Sequence, residues 1–288
     1  MKEALFYQKL DGNKVRCELC PHLCLIANGR RGICGVRENQ GGILYSLVYG
    51  RIAAAHVDPI EKKPLYHFLP GSTSYSIATV GCNFRCDFCQ NFGISQAREI
   101  EGEAVEPGDI VREALSLGCQ SVSYTYTEPT IYFEFAYDTA KLAREKGLKN
   151  VFVTNGFITE PPLRMIAPYL DAANVDLKSF RDEYYHKYCG GKLEPVLKAL
   201  KLYKELNIWL EVTTLVIPGL NDSETELMDI ANFIKNELGE GVPWHVSAFY
   251  PIYKMTDRPP TPAETIYKAR DIGLKAGLKY VYTGNLPG

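Results

Sequence analysis

The sequence predicts an α/β fold: a partial TIM-type (β/α)6 barrel over residues 71–288, behind a small cysteine-rich, metal-binding N-terminal region over residues 1–70. Three observations predict it. From residue 75 onward, six apolar strand-like runs alternate with six amphipathic helix-like runs, an order that builds a parallel sheet with helical crossovers. Polar residues follow nearly every strand-like run, where α/β sheets bind their ligands. The cysteines gather in two short clusters, leaving the barrel segment one cluster and the N-terminal segment the other.

The N-terminal region comes first. Cys17, Cys20, Cys24 and Cys34 have the spacing C-x2-C-x3-C-x9-C, with Pro21, Gly29, Gly32 and Gly35 supplying turns. Four thiolates within this span can wrap one tetrahedral ion or one cubane, so zinc and a second iron–sulfur cluster both stay open. So short a region has little core, and a metal there contributes folding energy. His22 reads as an exposed turn residue. Residues 43–57 read as two strands joined at a turn containing Gly50 and Arg51. Residues 58–71 carry Pro59, Pro64 and Pro70, which forbid a regular helix or central strand. This loop reads either as a cover for the second cysteine cluster or as a solvated linker.

In the barrel segment the strand candidates are 75–80, 121–126, 150–153, 173–177, 209–216 and 244–249. The helix candidates are 107–117, 130–146, 161–169, 193–206, 223–238 and 262–276. Pro107-Gly108 and Asn221-Asp222-Ser223 are helix starts, and Gly118, Gly147 and Gly239 are stops. Cys119 and Cys189 stand apart from both clusters and read as small buried hydrophobes.

The first strand runs into Cys82, Cys86 and Cys89, spaced C-x3-C-x2-C. Three thiolates are one short of a closed site, which suggests a four-iron cluster with one iron open to a non-protein ligand. The competing reading is a zinc knuckle with a borrowed fourth ligand. Glu128, Asn155, Asp176 and Lys178 follow the second, third and fourth strands. Each also has a plain reading: a helix-start charge for Glu128, a turn for Asn155, and a surface ion pair for Asp176 and Lys178. Asp176 and Lys178 alternate, so their side chains share a face. Phe88 reads equally as core, and His245, inside the sixth strand, reads as a core histidine.

Composition narrows the classes. The length of 288 residues holds one large domain or two smaller ones. A net charge of −2 argues against general binding to nucleic acid or an anionic membrane. No apolar run approaches the ~20 residues of a membrane span, and Met1 to Leu10 has no signal-peptide core. Nine cysteines, seven of them in two clusters, without an export signal point to metal ligation in a reducing cytoplasm, not to disulfides.

The cysteine spacing, with Phe88 before the third cysteine, resembles the radical S-adenosylmethionine (SAM) superfamily. The series Cys82-x3-Cys86-x2-Cys89-Gln90-Asn91, Thr127-Glu128-Pro129, Thr154-Asn155-Gly156, Asp176-Leu177-Lys178 and Ile217-Pro218-Gly219 resembles its pyruvate formate-lyase activating-enzyme-like branch. More narrowly, the N-terminal cysteines, the 58–68 loop, the 244–250 segment and the 282–288 motif resemble the radical SAM member of the AmmeMemoRadiSam system. The resemblance implies a [4Fe-4S] cluster on Cys82, Cys86 and Cys89, and SAM as the ligand of the open iron. It puts Phe88 near the adenine, Glu128 on the SAM ammonium, Lys178 on its carboxylate, and Asp176 and Asn155 nearby. Tyr126 and Thr127 stand where the family has two glycines. The implied chemistry is reductive cleavage of SAM and hydrogen abstraction from a substrate, possible partners being an electron donor such as flavodoxin or ferredoxin, a protein substrate, and Memo-like or AMMECR-type proteins. A radical SAM enzyme acting on a small molecule and a non-catalytic iron–sulfur or zinc scaffold are the alternatives.

Overall fold

A computed structural model describes residues 1–97 and 99–286; Arg98 and the Pro287-Gly288 pair that ends the 282–288 motif lie outside the described residues. One eight-stranded sheet organises the chain. Its strands are β1 (Ala54–Pro59), β2 (Thr73–Ala78), β3 (Ser121–Tyr124), β4 (Lys149–Thr154), β5 (Ala172–Asp176), β6 (Trp209–Val216), β7 (Trp244–Ala248) and β8 (Val281–Gly284). Each strand pairs with its neighbours in sequence. β2 to β8 are parallel and β1 is antiparallel to β2. The crossovers carry helices α1 (Pro107–Ser116), α2 (Phe133–Glu145), α3 (Glu160–Ile166), α4 (Leu193–Glu205), α5 (Glu224–Phe233) and α6 (Ala263–Ala276). No described helix is long and apolar enough to cross a membrane.

Six strands and six helices fall where the alternating runs put them, and the sheet has one more parallel strand. β8 is only four residues long and no described helix follows it, so neither its length nor alternation announced it. The two strands expected over 43–57 do not form a hairpin. Ile43–Ser46 pairs with Lys2–Glu3 and Arg37–Gln40, Arg51–Ile52 pairs with Glu103–Ala104, and β1 joins the main sheet. Gly50, at φ +66°, turns the chain away, and a Cβ there would sit 2.5 Å from the Val105 carbonyl oxygen.

The 58–71 loop is neither a linker nor a lid on the second cysteine cluster. It threads one face of the sheet and touches strands from edge to edge. Lys63 bonds Asp58 on β1 at 2.5 Å, Asn174 on β5 donates to the Pro64 carbonyl at 2.8 Å, and His67 meets the Tyr282 hydroxyl on β8 at 2.7 Å. The Tyr66 and His67 amides donate to the Glu211 carboxylate on β6 at 3.1 and 2.9 Å. A single short loop reaches β1 and β8 because the sheet curls around it. Ile60 and Leu65 pack there with Val151 and Ala172. Residues 1–70 share their main hydrophobic core with the barrel: Val15, Leu19, Ile26, Val36 and Leu44 belong to the same cluster as Phe133 and Phe157.

Candidate active site

The loop after β2 carries three cysteines. Gly81 begins it at φ +96°, so close to the N-terminal region that a Cβ would lie 2.5 Å from Val36 Cγ1 and 2.9 Å from the Cys34 carbonyl oxygen. Phe84 is buried and anchors the loop against Phe157 and Tyr185. Arg85 Nη1 donates to the Cys82 carbonyl at 2.8 Å. Cys82 and Cys89 are half-buried and Cys86 is buried. Donors already face the sulfurs: the Phe84 amide lies 3.4 Å and Asn155 Nδ2 3.8 Å from Cys82 Sγ, and the Ser95 hydroxyl is 3.1 Å from Cys89 Sγ.

This donor set fits a cubane. Three thiolates on one loop can take three corners of a cubane and leave its fourth iron open. N–H···S contacts to Cys82 favour a negatively charged cluster. Burial pushes the Cys82 and Cys89 thiols above their ordinary range, so ligation has to stabilise their thiolates.

The predicted strand-end residues converge beside this loop. Lys178 Nζ bonds Asp176 Oδ2 at 2.8 Å and stands 5.8 Å from the centre of the Phe88 ring. Burial opposes the charge on Lys178, but Asp176 and the nearby Cys86 and Cys189 outweigh it and hold the ammonium well above the ordinary lysine range. The Asp176 side chain is 37 % exposed and that of Lys178 is 13 % exposed, so the pair is open to a ligand on its Asp176 side. Asn155 Nδ2 donates to Asn83 Oδ1 at 2.8 Å, directly beside Cys82.

Glu128, the residue expected on the SAM ammonium, is already held by protein donors. Its carboxylate is fully buried. One oxygen accepts from the Thr130 amide at 3.0 Å, the Thr130 hydroxyl at 2.6 Å and the Thr154 hydroxyl at 2.7 Å, and the other accepts from the Asn155 amide at 2.8 Å. Four protein donors saturate most of its acceptor capacity. In this structure Glu128 ties the end of β3 to the end of β4 and so positions Asn155. Tyr126 replaces a glycine by adopting φ +60°, a costly conformation for a non-glycine residue. Asn91 Nδ2, donating to its carbonyl at 2.7 Å, and its own hydroxyl, bonded to Asp58, hold it there.

Cys189 and His22 are more closely engaged with the cysteine loop than their sequence context implies. Cys189 is not an inert hydrophobe: its thiol hydrogen-bonds to Cys86. The Arg85 amide donates to the Cys189 carbonyl at 2.7 Å and the Asp87 amide to the Tyr188 carbonyl at 3.0 Å, so this segment is docked on the cysteine loop. The neighbouring Gly190-Gly191 pair was the available signal, since a Cβ on Gly191 would meet Phe84 at 2.3 Å. His22 is half-buried, its Nε2 2.7 Å from the Asn83 carbonyl oxygen. His245 is the core histidine expected, 2.7 Å from Glu211. Cys17, Cys20, Cys24 and Cys34 line one common cavity.

A model of the radical SAM superfamily matches residues 76–231, which carry the cysteine loop and the strand-end residues through Lys178. The chain belongs to the radical SAM superfamily. An uncharacterized Methanocaldococcus jannaschii protein is 51% identical over 290 residues, covering 100% of this chain and 86% of that protein. The pyruvate formate-lyase 1-activating enzyme of Escherichia coli K12 is 22% identical over 220 residues, covering 70% of this chain and 89% of that enzyme. The fold is shared with Streptococcus suis SuiB bound to S-adenosylmethionine, at TM-score 0.57 and 16% identity, over 73% of this chain and 49% of that one. Within the radical SAM fold, the Cys82 loop and the Asp176–Lys178 pair occupy the ends of β2 and β5, on the same side of the sheet.

Proposed function

We propose that Cys82, Cys86 and Cys89 hold a [4Fe-4S] cluster with one open iron, and that the protein cleaves SAM there to start radical chemistry on a protein or peptide. The observation that carries this reading is the convergence of the three-cysteine loop, Phe88 and the Asp176–Lys178 pair. Bound at this loop, the reduced cluster would supply the electron that splits SAM into methionine and a 5′-deoxyadenosyl radical, which takes a hydrogen atom from the substrate.

The chain's own residues bind and orient. Lys178 offers a fixed cation to the SAM carboxylate, and Asp176 offers a carboxylate to its ammonium, a role that saturated Glu128 is poorly placed to fill. Asn155, held by Glu128 and Asn83, steers the site beside Cys82. Phe88 gives the adenine an apolar wall. The loop at 60–68 fills the sheet's concave face from β1 to β8 and keeps solvent from that side. A macromolecular substrate is favoured by the likeness to a pyruvate formate-lyase activating enzyme, and a flavodoxin- or ferredoxin-type donor fits the one-electron demand. Memo-like and AMMECR-type proteins are the partners to try first.

The test is electron paramagnetic resonance of the anaerobically reconstituted, reduced protein with and without SAM. A SAM-dependent change in the cluster signal, lost in Cys82→Ala, is expected. A signal indifferent to SAM contradicts the reading.

A further inference from the structure

The four N-terminal cysteines form a site of their own. The register Val15↔Ile26 and Arg16↔Leu25 brings Cys17 opposite Cys24, and the Cys17 amide donates to the Cys24 carbonyl at 2.9 Å. A turn closed by the Leu23 amide on the Cys20 carbonyl, at 3.1 Å, swings Cys20 toward the same side, with Leu23 at φ +47°. A second turn, closed by Gly35 on the Gly32 carbonyl at 2.9 Å, brings in Cys34. Backbone amides donate to three of the sulfurs: Leu19 to Cys17, His22 to Cys20, and Val36 with Arg37 to Cys34. Amide donors aimed at sulfur are what a metal-bound thiolate accepts.

The four sulfurs face one shared space. Cys17, Cys20, Cys24 and Cys34 line a single cavity of about 20 Å³, and four thiolates are the full protein ligand set of a closed cubane.

The wall supplies the second, independent sign of a ligand. Arg37 lines the cavity and is 1 % exposed. Its Nη2 is bonded to Glu134, but its Nε and Nη1 have no partner. Two buried guanidinium donors without acceptors are costly. A negatively charged cluster would accept both.

We infer that Cys17, Cys20, Cys24 and Cys34 hold a second [4Fe-4S] cluster, closed by four protein thiolates, to which Arg37 donates N–H···S bonds. The two cysteine groups share a wall: His22 bonds the Asn83 carbonyl, Arg85 bonds the Ile33 carbonyl, and Gly81 packs on the Cys34 carbonyl.

The experiment uses the full chain, reconstituted anaerobically with iron and sulfide, as wild type and as the triple variant Cys82→Ala/Cys86→Ala/Cys89→Ala. The triple variant is expected to retain about four irons per chain, and wild type about eight. The signal of the reduced triple variant is expected to be unchanged by SAM. The pair variant Arg37→Met/Glu134→Met removes both buried charges together and is expected to shift this cluster's midpoint potential to a more negative value. Retention of no iron by the triple variant, or about one zinc per chain in its place, overturns the inference. So does a wild-type content of only about four irons, whatever the variant's folding. Because the triple variant lacks the SAM-site cysteines, failure of the second cluster is separable from failure of the proposed function.

Discussion

Cys189 donates a hydrogen bond from its thiol to the sulfur of Cys86. Cys86 is one of the three cysteines of the SAM-site loop, so Cys189 acts on a cluster there through its ligand and not as a ligand itself. Hydrogen bonds to cluster sulfurs favour the reduced, more negative state. Cys189→Ala is therefore expected to leave iron content unchanged and shift the midpoint potential to a more negative value, read by spectroscopic redox titration. An unaltered potential contradicts this role.

Lys178 and Asp176 bear on ligand affinity. Losing a charged hydrogen-bond donor to the SAM carboxylate is expected to cost about 1.5–3 kcal/mol, roughly 10- to 150-fold in Kd. Lys178→Met should show this by anaerobic calorimetry. Lys178→Arg keeps the charge and is expected to lose less. Asp176 stays partly exposed, so the fold should survive the loss of its partner.

Glu128→Gln separates positioning from direct contact. The glutamine amide can still accept through one oxygen, but its NH2 faces a donor, either the Asn155 amide or the Thr130–Thr154 group. The expected result is weaker SAM binding together with lower thermal stability. Lost binding at unchanged stability would instead indicate a direct ligand role.

Much of the barrel was legible because period and alternation survive in its long elements. The runs at 209–216 and 193–206 match β6 and α4 almost to the residue. Short elements carry no such period: β8 and the paired two-residue strands Arg51–Ile52 and Glu103–Ala104 form because neighbours present free backbone edges. In the site, Cys82, Cys86 and Cys89 announced themselves by spacing and Asp176 and Lys178 by their place at a strand end, whereas Phe88 was marked by the family resemblance alone. The saturation of Glu128 did not, because Thr130, Thr154 and the Asn155 amide become its partners only when β3 and β4 lie side by side. Cys189 was hidden for the same reason, 103 positions from Cys86 in the chain and brought to it by the turn before Gly190.

Asp58 gives a pH-dependent prediction. Burial tends to raise its carboxyl, but Lys62, Lys63 and the Tyr126 hydroxyl hold it well below the ordinary carboxylate range. A depressed carboxylate contributes stability above its unfolded pKa of about 4 and loses it as pH falls toward the folded value. Asp58→Asn leaves the Lys63 ammonium, 2 % exposed, without its partner. The expected cost near neutral pH is about 3–5 kcal/mol. The gap from wild type should narrow below about pH 4, as Asp58 of the unfolded wild-type chain takes up a proton that the folded carboxylate still refuses. Denaturant unfolding at several pH values measures it.

Gly191→Ala tests the docking of the Cys189 segment. The new methyl would meet the Phe84 ring, which anchors the cysteine loop. Overpacking of about 1–3 kcal/mol is expected, with a lower Tm and poorer iron retention after reconstitution.

Chromatographic quantification of 5′-deoxyadenosine tests the central claim most directly. The protein is reconstituted anaerobically, reduced with dithionite and given SAM. Formation of 5′-deoxyadenosine and methionine by wild type, abolished in Cys82→Ala, Cys86→Ala and Cys89→Ala, is the predicted result. A fully loaded wild-type protein that binds SAM yet releases no 5′-deoxyadenosine, under conditions that demonstrably reduce its iron, would contradict the account.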